Sequence, residues 1–152
     1  MAYRISCTIY FLFIISISTC SQNKLTTSEQ KTPVFVNSEK EHKAYFASGC
    51  FWCVEAIYES IIGVNNVVSG YSGGNIPNPT YEIVNTKITG HAETIEVSYD
   101  PKIISFSILV DIYFASQEIE QIDGQGPDNG PQYRSIIFYQ TLAQRDLILS
   151  LI

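Results

Sequence analysis

Gly49-Cys50-Phe51-Trp52-Cys53-Val54-Glu55 sets a turn residue, a thiol, two large aromatics, a second thiol and a carboxylate in one run. Before it, Ala44-Tyr45-Phe46-Ala47 has the length and apolar character of a short buried strand, and Ser48-Gly49 that of a turn. After it, Cys50 to Ile61 reads as a helix closed by Gly63. A thiol at the start of a helix sits where unpaired backbone N–H groups and the helix dipole favour thiolate over thiol. Most free cysteines are simply core residues. It is the position, more than the residue type, that makes Cys50 a candidate nucleophile.

The pattern continues outward. Val64 to Tyr71 reads as a strand, and Ser72 to Pro79 as a loop of fixed turns, dense in Gly, Asn and Pro, that delivers Thr80 and Tyr81. In Glu93 to Tyr99, Ile95, Val97 and Tyr99 share one face of a strand while Thr94, Glu96 and Ser98 share the other. Glu93 falls in with the apolar set. A carboxylate of buried parity loses hydration, so its pKa should rise and let it hold a proton near neutral pH. Ser105 to Ser116 is an amphipathic helix whose Phe106, Leu109, Val110, Tyr113 and Phe114 form a core stripe. Gln117 to Arg134, with Gly124, Gly126, Pro127, Gly130 and Pro131, reads as a long irregular loop, and another helix begins near Thr141. The expected architecture is α/β: an α+β two-layer sandwich with a mixed β-sheet core, helices packed on it and long irregular loops.

A chain of 152 residues, 45% hydrophobic, suits one domain with a real core, and a monomer is expected. The formal charge is −6 and Lys and Arg are scattered singly, which excludes the basic footprint that a nucleic acid needs. With His42 and His91 as the only histidines and a single CxxC, no tetrahedral zinc set of usual spacing can be assembled, so His91 reads as a structural residue of the Gly90-His91-Ala92 turn. At the N-terminus, Arg4 precedes an apolar run from Ile9 to Ile17, the pattern of an export signal and too short to span a membrane. Ile17-Ser18-Thr19-Cys20-Ser21 reads as a lipoprotein cleavage box with lipid going onto Cys20. The expected layout is a signal peptide over 1–19, a polar tether over 20–42 and a domain over 43–152 truncated at its C-terminus. The location would be the bacterial periplasm, free or membrane-anchored. Cys7 falls inside the signal, so Cys50 and Cys53 are the thiols of the folded part and a structural disulfide framework is excluded.

Four separated pieces then occur in order: Gly49-Cys50-Phe51-Trp52 with Glu55; Gly70-Tyr71-Ser72-Gly73-Gly74 followed by Pro77-Asn78-Pro79-Thr80-Tyr81; Thr89-Gly90-His91-Ala92-Glu93; and Gly124-Gln125-Gly126-Pro127-Asp128 through Gln132-Tyr133-Arg134-Ser135. Together they resemble the peptide methionine sulfoxide reductase A family. The resemblance implies thiol-dependent reduction of methionine (S)-S-oxide, free or in oxidised proteins. Cys50 would attack sulfur and become a sulfenic acid, and Glu93 would donate the proton. The hydroxyls of Tyr81 and Tyr133 would hold the oxygen, with Asp128 supporting the same pocket, and Phe51 with Trp52 would form an apolar wall for the methyl group. No bound cofactor is implied; thioredoxin or another thiol would be the reductant.

The chain departs from that pattern in three places. Relatives usually carry Gly at the position of Cys53, and many have resolving cysteines near the C-terminus, where this chain has none. A Cys three residues along a helix stands roughly 5–6 Å away in Cα separation, within disulfide reach, so Cys53 is the candidate resolver; the alternative is an inert thiol, with reductant acting directly on Cys50. Gln117-Glu118 stands where relatives often have His-Asp, and the run after it, Glu120-Gln121-Ile122-Asp123, is also unlike theirs. Two rival readings remain: a general thiol–disulfide oxidoreductase using the CxxC, and a non-enzymatic ligand-binding lipoprotein.

Overall fold

The computed structural model describes residues 42–152; the expected signal peptide and the expected tether up to residue 41, with Cys7 and Cys20, lie outside the described residues, while His42, the last residue of that tether, begins the first strand. In chain order the elements are β1 (His42–Ala47), α1 (Phe51–Glu59), β2 (Val64–Ser72), α2 (Tyr81–Val84), β3 (Ala92–Tyr99), α3 (Phe106–Ala115), the two-residue strands β4 (Gly124–Gln125) and β5 (Asp128–Asn129), a 3-10 turn (Pro131–Tyr133), β6 (Ile136–Phe138) and α4 (Leu142–Leu151). The main sheet has the order β2-β3-β1-β6, and β4 pairs only with β5.

The two-layer α+β architecture expected from the sequence is the one observed, but all three pairings of the main sheet are antiparallel rather than mixed. The chain path explains this. The β1–α1–β2 unit carries the chain across the sheet to a strand parallel with β1 but one position away, and β3 then fills the gap antiparallel to both. This places β3 in the centre, with neighbours on either side. Ile95, Val97 and Tyr99 face the core as their parity requires, and the short Thr94 and Ser98 of the opposite face are also buried.

Helix boundaries follow capping chemistry. The side chains of Ser105 and Thr141 accept hydrogen bonds from the third N–H of α3 and α4 respectively. Helix α1 stops at Glu59, two residues short of the expected end, and the chain turns through Ser60 and Ile61 to Gly63, which takes a φ of +98°. Two features were not expected at all. Tyr81 opens a short helix capped by Thr80, and Ile136–Phe138 adds an edge strand to β1 that is too short to show periodicity.

Phe46 lies at the middle of the core, fully buried on β1, with its ring 5.1 Å from that of Tyr58 on α1 and 5.6 Å from that of Tyr113 on α3. Both tyrosines also satisfy their hydroxyls: Tyr58 donates to the Leu109 carbonyl at 2.9 Å, and Tyr113 to the Ala47 carbonyl at 3.2 Å. One apolar layer thus joins sheet and helices, and the Tyr113 bond fixes the end of β1 just before the Cys50 turn. Phe46→Ala should lose about 3–5 kcal/mol of unfolding free energy through the cavity it leaves, whereas Val68→Ala at a half-exposed sheet position should change it by less than ~0.5 kcal/mol. Denaturant midpoints measure both, and equal shifts would show that Phe46 is not the centre of the core.

Candidate active site

Cys50 is the residue immediately before α1, with extended backbone (φ −63°, ψ 115°), and its carbonyl accepts from the Cys53 and Val54 N–H groups at 3.1 and 3.2 Å. Its placement depends on Gly49, whose φ of +84° is the left-handed region that favours glycine. Space matters as much as torsion: a Cβ at Gly49 would stand 2.6 Å from Gln125 Cβ. Gln125 is itself held firmly. Its amide donates to the Glu118 carbonyl and accepts from the Glu118 N–H, both at 2.9 Å, and it reaches Gln117 Oε1, which also accepts from the Ser135 hydroxyl at 3.0 Å. Gln117 thus takes a bracing role in this chain, behind the turn that presents the thiol.

Glu93 meets the Cys50 turn through the backbone of the next residue. Glu93, at the start of β3, is only 2% exposed, and its Oε2 accepts the Phe51 N–H at 3.1 Å. Burial pushes the Glu93 carboxyl above the ordinary carboxylate range, the Phe51 hydrogen bond partly opposes this, and the nearby negative charge of Asp128 adds to the rise. The parity of Glu93 in the sequence is therefore matched by its position. The Cys53 thiol is raised as well, first by the charge of Cys50 and by a hydrogen bond with it, then by burial, Asp128 and Glu93. Both cysteines are free, and Cys53 is exposed.

An aromatic cluster adjoins this pair. Phe51 is buried and touches the rings of Trp52 (5.3 Å), Tyr71 (5.5 Å) and Tyr81 (6.5 Å), while Trp52 stacks on Tyr81 at 5.7 Å and remains 61% exposed. The Tyr133 phenol on the 3-10 turn is raised by burial and then by the Glu93 charge, with smaller contributions from Tyr81 and Asp128. All eight residues singled out in the sequence, Cys50, Phe51, Trp52, Cys53, Tyr81, Glu93, Asp128 and Tyr133, therefore converge on one region. Asp128 arrives there on β5, within a stretch expected to be irregular. His91 serves the loop before Tyr81: its Nδ1 accepts from the Gly74 N–H at 3.3 Å, and its Nε2 pairs with the Ile76 carbonyl at 2.9 Å. Tyr71 is the member that sequence reasoning did not single out. In the sequence its place directly after Gly70 signals only the end of a strand. Among the described residues, no group of three His, Cys, Asp or Glu is placed to hold a metal ion.

The arrangement offers a thiol at a helix start, a buried carboxyl of raised proton affinity bonded to the next residue, phenols near that carboxyl and an aromatic surface open to solvent. Residues 42–152 match the family model described as peptide methionine sulfoxide reductase. A peptide methionine sulfoxide reductase MsrA of Methanosarcina mazei is 38% identical over 156 residues, which is 97% of this chain and 74% of the relative. One from Nautilia profundicola is 48% identical over 107 residues, covering 70% of this chain and 62% of the relative. Among solved structures, methionine sulfoxide reductase A of Corynebacterium diphtheriae aligns with a TM-score of 0.70 at 31% identity, covering 75% of this chain and 57% of that one. Mxr1 from Saccharomyces cerevisiae in reduced form gives 0.70 at 31%, covering 74% and 66%. The chain thus spans between 57% and 74% of the length of these four proteins.

Gly49→Ala should cost about 1–2 kcal/mol from its backbone conformation alone and more from the collision with Gln125, displacing Cys50 and lowering kcat. Gly126 is the control: it has a φ of +56° but nothing within 4 Å of an added Cβ. Gly126→Ala should show the backbone cost without the loss of kcat, and equal kcat losses in the two variants would remove Gln125 from the placement of the thiol.

Proposed function

The chain belongs to the peptide methionine sulfoxide reductase family, and from that premise we propose that it reduces methionine (S)-S-oxide, free or within proteins, with Cys50 as nucleophile and Glu93 as acid. The observation that carries this reading is the hydrogen bond from the Phe51 N–H to Glu93, which sets a buried carboxyl beside the residue that follows the thiol. A sulfoxide sulfur is weakly electrophilic and its oxygen leaves only when protonated, so the reaction needs a thiolate and an acid together. The Cys50 sulfur attacks, the sulfoxide S–O bond breaks, and Glu93 supplies the proton. The oxygen ends on Cys50 as a sulfenic acid while methionine departs as a thioether, reduced by two electrons. Tyr81 and Tyr133 hold the oxygen, the charge of Asp128 adds to the proton affinity of Glu93, and Phe51 with Trp52 receives the methyl group.

Recycling falls to Cys53. Its thiol attacks the sulfenic sulfur, water leaves and a Cys50–Cys53 disulfide forms, to be reopened by a dithiol reductant of the thioredoxin kind. The place of Cys53 in the first turn of α1, its N–H bonded to the Cys50 carbonyl, and its exposure support this assignment. A general CxxC oxidoreductase would give Tyr81, Glu93 and Tyr133 no role, and a ligand-binding lipoprotein would give none to the buried acid.

Export with lipid on Cys20 is supported by the Ile9 to Ile17 run and the Thr19-Cys20-Ser21 junction. The mature protein should then sit in the membrane fraction with a blocked N-terminal Cys20 by mass spectrometry; a soluble mature chain starting elsewhere would end that reading.

Cys50→Ser should abolish methionine release, because a hydroxyl is a far poorer nucleophile toward sulfur and has no sulfenic state. Cys53→Gly should keep one stoichiometric turnover and lose steady-state cycling with thioredoxin, with the sulfenic acid trapped in place of the disulfide on peptide mapping. Turnover by the serine variant would sink the mechanism, and parental cycling by the glycine variant would make Cys53 a spectator.

A further inference from the structure

Tyr71 has no part in the chemistry above. It lies near the end of β2, and the β2–β3 register sets it directly across from Glu93. Side chains directly opposite in an antiparallel pair leave the sheet on the same face, with Cβ atoms ~4.5–5.5 Å apart. The Tyr71 ring also touches that of Phe51 at 5.5 Å, and Phe51 is the residue whose N–H binds the Glu93 carboxyl. Glu93 is therefore flanked by Phe51 from α1 and by Tyr71 from β2. We propose that Tyr71 is a positioning residue for the Glu93 acid: its ring covers the carboxyl on the β2 side and keeps water from it.

The inference rests on the reading of Glu93 as the acid. Burial is the largest cause of the raised Glu93 carboxyl, so a side chain that supplies burial acts directly on its proton affinity. The titratable groups around Glu93 are Cys53 and, next to it, Cys50 at the start of α1, Tyr71 on β2, Asp128 on β5 and Tyr133 on the 3-10 turn, with Tyr81 and Glu82 of α2 against Tyr71. Asp128 pushes Glu93 in the same direction as burial, and it remains when Tyr71 is changed. Among the described residues the hydrogen bond to the Glu93 carboxyl comes from Phe51, not from the Tyr71 hydroxyl, so the ring is the working part. The sign follows: with the cover removed, Glu93 loses its proton at lower pH, and the rate should begin to fall earlier as pH rises.

The experiment is the pH dependence of kcat for an S-sulfoxide peptide with dithiothreitol as reductant. In the parental enzyme an alkaline limb should appear, and Glu93→Gln should abolish it. Tyr71→Phe should keep the limb in place with kcat within about twofold. Tyr71→Ala should move the limb to lower pH, so that the rate at pH 8 falls about tenfold for each unit the Glu93 pKa drops, while the rate well below the limb is nearly kept. A limb unmoved in Tyr71→Ala, with a uniform loss at all pH values, overturns the inference, as does a limb moved equally by Tyr71→Phe. A parental limb that survives Glu93→Gln overturns instead the acid reading itself. If the alanine variant does not fold, a carbon-13 titration of the Glu93 carboxyl in Tyr71→Leu should show a smaller downward shift, and no shift overturns the inference.

Discussion

The hydrogen bond between the Phe51 N–H and Glu93 at 3.1 Å is the contact on which the rest of the site depends. It joins the first residue of α1 to the second residue of β3, and so ties the helix that presents Cys50 to the strand that carries the acid. A helix start has N–H groups without intrahelical partners, and a carboxylate is their natural acceptor. Here the acceptor is nearly buried, so the same contact that caps the helix is made by a group reluctant to ionise. Two demands pull against each other at Glu93: the N–H favours the charged form, while burial and Asp128 favour the neutral one, and burial is the largest of the three.

Around that contact the chain uses rigidity more than bulk. Gly49 allows the turn, the Gln125 side chain closes the space beside it, and the Tyr113 hydroxyl holds the Ala47 carbonyl just upstream. On the far side, His91 binds Gly74 and Ile76, in the loop that leads to Tyr81. Nucleophile and phenol are therefore each supported by a polar side chain that has no part in the chemistry itself. Such supports fix a geometry that the reacting groups alone would not hold.

Much of this was legible in the residues, for physical reasons that differ from element to element. Ser105 and Thr141 announce their helices because a hydroxyl before an apolar run is a local capping signal. Parity sets Glu93 with the apolar face, since a strand alternates its faces whatever its neighbours are, but at a strand end parity alone leaves open a side chain turned to solvent. Tyr71 could not be placed in this way, because its importance lies in the register of β2 against β3, and one sequence does not state which residues of two strands are opposite. Likewise β6 has three residues and α2 four, below the length at which either period can be recognised. The antiparallel pairing is hidden in the sequence for a related reason: a strand–helix–strand unit suggests parallel neighbours until a later strand inserts between them.

That insertion has a consequence for how the domain comes into being. Phe51 and Glu93 are separated by 42 positions in the chain, and the strand bearing the acid is the one that completes the centre of the sheet. Contacts of such sequence separation require the intervening chain to be closed into a loop before they give anything back, which slows their formation relative to the local turns of α1. The thiol and its helix can therefore form from neighbouring residues, while the acid joins them only when the sheet closes. The cysteine thus belongs to a segment of local contacts, and the Glu93 carboxyl comes beside that segment only with the final topology rather than with any single element.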